Sequence, residues 1–237
     1  MAIAQVTNGV TNGSGSSLTL SLTVSGSNTI LWAGGFMGSG ASPITALTYN
    51  GDALTHVTGS PFASGGQFQY LAYLINPDAG THDLAVTFTS SDNVTLHGVV
   101  YSGAKQSGVP DATNTSDIGV TTTPSQAVTT VADNAWAVWM LRGESGNTVT
   151  AGANTTLVNQ YGPFDEHMLE GGPKTPAGSL TLNANATSSH HYGIIASFAP
   201  VPAGPASFGT WNGAATSTLT DINGQTIAGM SSWNGMT

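Results

Sequence analysis

The chain has 237 residues, 39% of them hydrophobic and only 6% charged, and twelve acidic residues against Lys105, Arg142 and Lys174 leave a net charge of −9. That hydrophobic content excludes disorder, the negative balance repels a phosphate backbone and excludes nucleic acid as a partner, and the absence of cysteine excludes disulfides and thiolate metal sites. A surface of hydroxyls and amides in place of charges suits a protein packed beside copies of itself.

The N-terminal MAIAQVTNG has neither a basic n-region nor an apolar h-region, and no run approaches the roughly 20 apolar residues of a membrane span. The expectation is a chain that stays in the cytoplasm where it is made, with no membrane partner. Ser17 to Val24 (SLTLSLTV) alternates Leu or Val with Ser or Thr and predicts a half-buried strand. Asn28 to Met37 (NTILWAGGFM) is continuously apolar, as in a central strand covered on both faces, with a bulge expected at Gly34-Gly35. Leu47-Thr48-Tyr49 and Ala53 to Val57 flank Asn50-Gly51-Asp52, a tight hairpin turn.

Gln67 to Ile75 is an aromatic-rich strand halted by the turn string Asn76-Pro77-Asp78-Ala79-Gly80, after which His82 to Thr89 is expected to pair back as a hairpin. Val94 to Ser102 is the next strand, and Gly103 to Gln126 then reads as a long functional loop. Strands follow at Gln126 to Val131, Asn134 to Arg142, Thr155 to Gln160, Ser179 to Asn183 and His190 to Ala199. About ten strands at short spacing with no 3.6-residue apolar stripe predict an all-β fold, an antiparallel two-sheet sandwich of jelly-roll type, over residues 1–199.

Three prolines in APVPAGP make residues 200–206 a stiff linker. The tail 207–237 carries an internal repeat: Trp211-Asn212-Gly213, Ile222-Asn223-Gly224 and Trp233-Asn234-Gly235, with Leu219 and Met230 as further apolar positions. So short a segment cannot bury these side chains alone. It is therefore expected to dock on a partner, most simply between chains.

The acidic group Asp165-Glu166 with Glu170 invites acid–base chemistry. On a strand, though, the first two would diverge, and YGPFDEHMLEGGP reads as a loop carrying solvated acids. His167 and the pair His190-His191 lack a metal-ligand spacing, and the histidines read as strand-end residues bonded to backbone. Asp111, Asn114 and Asp117 are hard oxygen ligands without the glycine and terminal glutamate of a calcium loop. No nucleophile elbow and no phosphate cradle occur. No catalytic centre, cofactor or metal is therefore expected. Trp136 and Trp139 face opposite ways on AWAVWM, which leaves one able to lie outside the core and stack on a sugar ring or a neighbouring subunit.

The segments LTYNGDALTHV, YLINPDAGTHDLAVTF, VVYSGAKQSGVPD and TTVADNAWAVWM resemble β-sandwich domains of bacteriophage structural and bacterial surface proteins, and the tail resembles the W/I-N-G repeats at the ends of phage virion proteins. The resemblance implies a virion setting, and with the sparse charge, the lack of cysteine and of an export signal, and the docking repeat, the expectation is a virion component made in the host cytoplasm, present in many copies as a capsid decoration or head-fibre protein. Its partners would be copies of itself and other capsid or tail proteins. The alternative is a tail appendage or receptor-binding module facing a host-surface glycan through Gly103 to Gln126 and Tyr161 to Thr175.

Overall fold

Period-two alternation places one residue of each pair in the core and the other in solvent, and the chain follows it closely. The computed structural model describes residues 1–38, 44–64, 67–144, 148–161 and 166–202. The chain divides after Val201 into two units, and the first, Met1–Val201, holds the described strands. It is all-β, with no helix among the described residues.

In β1 (Ala4–Val24) the leucines predicted to face inward do so, while Ser17, Thr19, Ser21 and Thr23 are exposed. β2 (Ile30–Met37) is buried at every position. It is followed by β3 (Ile44–Tyr49), the short β4 (Asp52–Ala53), β5 (Thr55–His56) and β6 (Phe62–Ser64), then β7 (Gln67–Ile75) and the long β8 (Gly80–Ser102). β1 and β8 run antiparallel from Ala4 against Ser102 to Val24 against Gly80. On its other edge β8 changes partner: Leu84 to Phe88 pair with β3, and Val94 to Tyr101 pair with β2. The sheet thus folds over on itself and encloses Leu22, Leu31, Tyr49, Tyr70, Leu84 and Leu96.

The second half contains β9 (Ala112–Thr121), β10 (Ser125–Thr129), β11 (Ala135–Gly143), β12 (Thr150–Ala151), β13 (Thr156–Tyr161), β14 (Glu166–Lys174), β15 (Ser179–Asn185) and β16 (Ser189–Phe198). One sheet runs β13-β14-β11-β16-β9, and a smaller one, β10-β15-β12, covers it over Trp139, Leu169, Leu180, Leu182 and Ile195.

This pairing scheme is that of the first half repeated. β9 and β10 together stand where β1 stands, β15 and β16 where β8 stands, β11 lies between β14 and β16 as β2 lies between β7 and β8, and β12 meets β15 as β3 meets β8. The registers coincide as well. Thr23 opposes Thr81 as Thr129 opposes Ser179, and Leu31 lies between Leu74 and Val100 as Ala137 lies between Gly171 and Ser197. Left-handed asparagines mark equivalent turns, Asn28 (φ 54°) with Asn134 (φ 61°) and Asn50 (φ 50°) with Asn154 (φ 59°). The large sheets of the two halves pack face to face over Ile30, Trp32, Leu71, Val99 and Tyr101 on one side and Val138, Met140, Met168, Ile194 and Phe198 on the other. The predicted sandwich is therefore present twice, as a stack of four layers whose inner two are covered on both faces. Burying a large apolar side chain completely stabilises by about 1.5–3 kcal/mol, and Trp32, Trp139, Tyr101 and Phe198 are all fully buried.

The Asn50-Gly51 hairpin is as expected, with Tyr49 opposing Asp52 and Gly51 at φ 90°. Several other expectations are corrected. Gly34-Gly35 makes no bulge: both pair regularly with β7 and β8, and glycine is needed there for close approach, since a Cβ on Gly35 would lie 2.1 Å from the Thr95 carbonyl oxygen and one on Gly34 2.7 Å from the Met140 sulfur. Residues 76–80 do turn, with Asn76 and Gly80 at positive φ, but the first part of β8, Gly80 to Phe88, pairs with β1 and β3, so the turn carries the chain from an inner to an outer layer instead of closing a hairpin with β7. Strands also occupy stretches not predicted as such: residues 4–16, the short β6 and β12, the supposed loop 103–126, which holds β9, and the supposed acidic loop, which holds β14.

Candidate functional site

Two arrangements of side chains have chemistry beyond packing. The first is a polar belt at one end of the face shared by the two halves. From the first half come Phe36, Gln69, Thr95 and His97, and from the second Arg142, Asn159 and Glu166. All except Asn159 are buried, and Glu166 and His97 are fully so. The Arg142 guanidinium sits 3.9 Å from the centre of the Phe36 ring, a cation–π contact that crosses between the halves. The Gln69 amide donates to the Met140 carbonyl at 3.0 Å.

Asn159 fixes the state of His97. Its Nδ2 donates to the Gly9 carbonyl at 3.0 Å, so its Oδ1 is turned to His97 Nδ1 at 2.5 Å, and that nitrogen carries a proton. The other nitrogen, Nε2, faces Glu166 Oε2 at 3.7 Å.

Beside the belt, Tyr101 donates a short hydrogen bond to Glu170 Oε2. Burial holds the Glu170 carboxyl above its ordinary range, opposed by that bond, and burial next to Glu170 holds the Tyr101 hydroxyl well above its own. On the opposite face of the same sheet, burial together with the neighbouring His97 and His191 depresses the His167 imidazole to about 3. The acids expected as solvated loop residues, Glu166 and Glu170, are thus interior strand residues, as is His167 between them, because β14 belongs to an inner sheet covered on both faces. Asp165 lies outside the described residues.

The second arrangement is an open groove of about 620 Å³ at the edge of the second half. One wall is the end of β14, with Gly172, Lys174 and Thr175, and partly exposed Trp136 at the start of β11. The other is the turn Asn154, Thr155, Thr156 and the strand residues Ser179, Thr181 and Asn183 of β15. The wall residues hold one another: Asn183 N–H donates to Thr155 Oγ1 at 2.8 Å, Asn183 Nδ2 to the Ala153 carbonyl at 3.2 Å, and Thr175 Oγ1 to Asn134 Oδ1 at 2.9 Å. Trp136 and Trp139 do face opposite ways. Trp139 is fully buried, while Trp136 packs its ring 5.9 Å from Tyr101 and lies directly under Gly172.

The other candidates take separate partners. The Asp111 N–H donates to the Ser197 carbonyl, Asn114 Nδ2 donates to Ala127, and Asp117 meets His190 Nε2 at 2.5 Å. His190 is stacked on Tyr192 and His191 is buried with Nε2 on the Thr121 carbonyl, so the adjacent histidines diverge as expected of a strand. No group of three metal-ligating residues forms among the described residues. The expected docking residues Trp211, Asn212, Gly213, Leu219, Ile222, Asn223, Gly224, Met230, Trp233, Asn234 and Gly235 lie outside the described residues. Neither the belt nor the groove was assembled from sequence, although Glu166 was a candidate acid, Trp136 was flagged by its facing, and Gly171 to Thr175 fall in the stretch Tyr161 to Thr175 expected to face a glycan. No protein-family model matches the chain, and no curated protein or solved structure is significantly similar to it.

Proposed function

We propose that the chain is a structural component of a phage particle, a multi-copy capsid decoration or head-fibre protein whose β-stack packs beside its copies and whose repeat-bearing tail attaches it. The observation that carries this reading is the outward faces of the outer layers. Ser17, Thr19, Ser21 and Thr23 on β1, Thr45 on β3, Thr81 on β8, Ser125 and Thr129 on β10, and Ser179 and Thr181 on β15 are exposed. Hydroxyls bond across strands there, Thr23 to Thr81 at 2.8 Å and Thr45 to Thr87 at 3.2 Å. Faces of this kind lack the charge repulsion that keeps monomers apart.

The test is to delete residues 202–237 and follow incorporation into particles. Loss of the protein from particles, with the deleted chain still folded, is expected. Unchanged incorporation would remove the tail from the proposal. A second reading, a saccharide-facing receptor module, is favoured by the groove beside Trp136.

A further inference from the structure

We propose that the groove between β14 and β15 binds a saccharide that carries a carboxylate. The inference rests on the second reading above and names its site and ligand class. The lining offers what ring hydroxyls need: the amide of Asn154 and the hydroxyls of Thr156, Ser179 and Thr181, beside the partly exposed indole of Trp136. No carboxylate belongs to the lining, yet Lys174 does. The whole chain has three cations, of which Arg142 is buried, and its net charge is −9. One of the two remaining cations therefore stands in a groove without an acid, where it selects an anionic group.

Comparison of the two halves supports an opening that is built in. In the first half the corresponding place is closed. Tyr49 is fully buried there with its hydroxyl on the Leu22 and Gly80 carbonyls, His82 lies edge-on to it at 5.8 Å, and the chain continues through β4 to Leu54 in the core. The second half has Ala153 before the equivalent left-handed asparagine, Leu180 in the place of His82, and no counterpart of β4 among the described residues. The bonds from Asn183 to Thr155 Oγ1 and to the Ala153 carbonyl hold the walls before any ligand arrives.

An extended peptide adding to the sheet is the competing occupant, and the edge disfavours it. β12 covers Ala184 and Asn185 of β15, and the Asn183 N–H and C=O are already taken by Thr155 Oγ1 and Gly152 N–H, so only the stretch from Ser179 to Leu182 is open to a new strand.

The full chain is titrated with a glucuronate-containing tetrasaccharide, with neutral cellotetraose and with a Thr/Val hexapeptide, using saturation-transfer NMR and calorimetry. Two variants accompany it, Lys174→Gln and Thr181→Trp, the latter filling the groove from its β15 wall. Thermal melts confirm that both fold. Expected are binding of the acidic tetrasaccharide over the neutral one, and at least tenfold weakening in both variants. Equal binding of cellotetraose with no effect of Lys174→Gln overturns the carboxylate assignment while leaving a saccharide module. Transfer to neither saccharide overturns the site and the second reading together, and transfer to the hexapeptide instead replaces them with strand addition. The particle reading is judged separately, by incorporation.

Discussion

His97 of the first half and Glu166 of the second face each other at 3.7 Å, both fully buried, with His97 Nδ1 already committed to Asn159. One member of this buried pair comes from each half, so the contact joins the halves in a way that apolar packing alone would not. Removing one partner of a buried pair leaves the other uncompensated and costs about 3–5 kcal/mol. Glu166→Gln is accordingly expected to lower the unfolding free energy by that amount in urea titration. A loss below 1 kcal/mol would mean the pair is not coupled in solution.

The His167 imidazole is depressed to about 3 from an ordinary 6.5, first by burial and then by His97 and His191. The unfolded chain then binds the proton more tightly than the folded one. Stability is unaffected above pH 6.5 and falls as pH drops from 6.5 towards 3, by at most about 1.4 kcal/mol per pH unit from this group. Glu170, whose carboxyl is raised, works with the opposite sign, gaining stability as pH falls through its folded value towards 4.5. Denaturation midpoints from pH 7 to 4 should fall in the native chain and flatten in His167→Leu.

Gly35→Ala would push a Cβ to 2.1 Å from the Thr95 carbonyl oxygen and 2.7 Å from the Tyr70 hydroxyl, between two strands that cannot separate without opening the core. A loss exceeding 3 kcal/mol is expected, of the size seen for overpacked interiors. Gly51→Ala is the control: nothing lies within 4 Å, and only its φ of 90° is strained, so about 1 kcal/mol should be lost. Melting temperatures of the two variants test the ranking.

Tyr101→Phe removes the hydroxyl that donates to Glu170. That bond favours the charged carboxylate, so its loss should move the Glu170 titration further upward, read by ¹³C shifts of the carboxyl, and cost about 1–3 kcal/mol. An unmoved titration would show that burial alone sets the Glu170 value.

Much of this fold is legible in the sequence because alternation and turn chemistry are local. Leu18 to Val24, the NTILWAGGFM run and Asn50-Gly51 each state their own structure. The rest depends on what a segment packs against. β9 alternates too weakly to announce a strand, since Thr113 to Asp117 borders solvent along one edge, and β14 carries acids and glycines that read as loop until a second sheet covers them. The repeat of one half in the other shows in few residues, chiefly the asparagines and Pro-containing turns at 76–80 and 174–178, because turns constrain residue type while strand interiors accept any apolar side chain of suitable size. The belt and groove lie between segments distant in sequence, and no spacing rule reaches them.

The proposal of a multi-copy particle component is tested most directly by a mass-spectrometric copy count on virus particles purified from cells that carry the gene, read against the major capsid protein. Copies in the range of the capsid protein, distributed over the shell in images of the same particles, are the predicted result, and absence of the chain from the particles would contradict it.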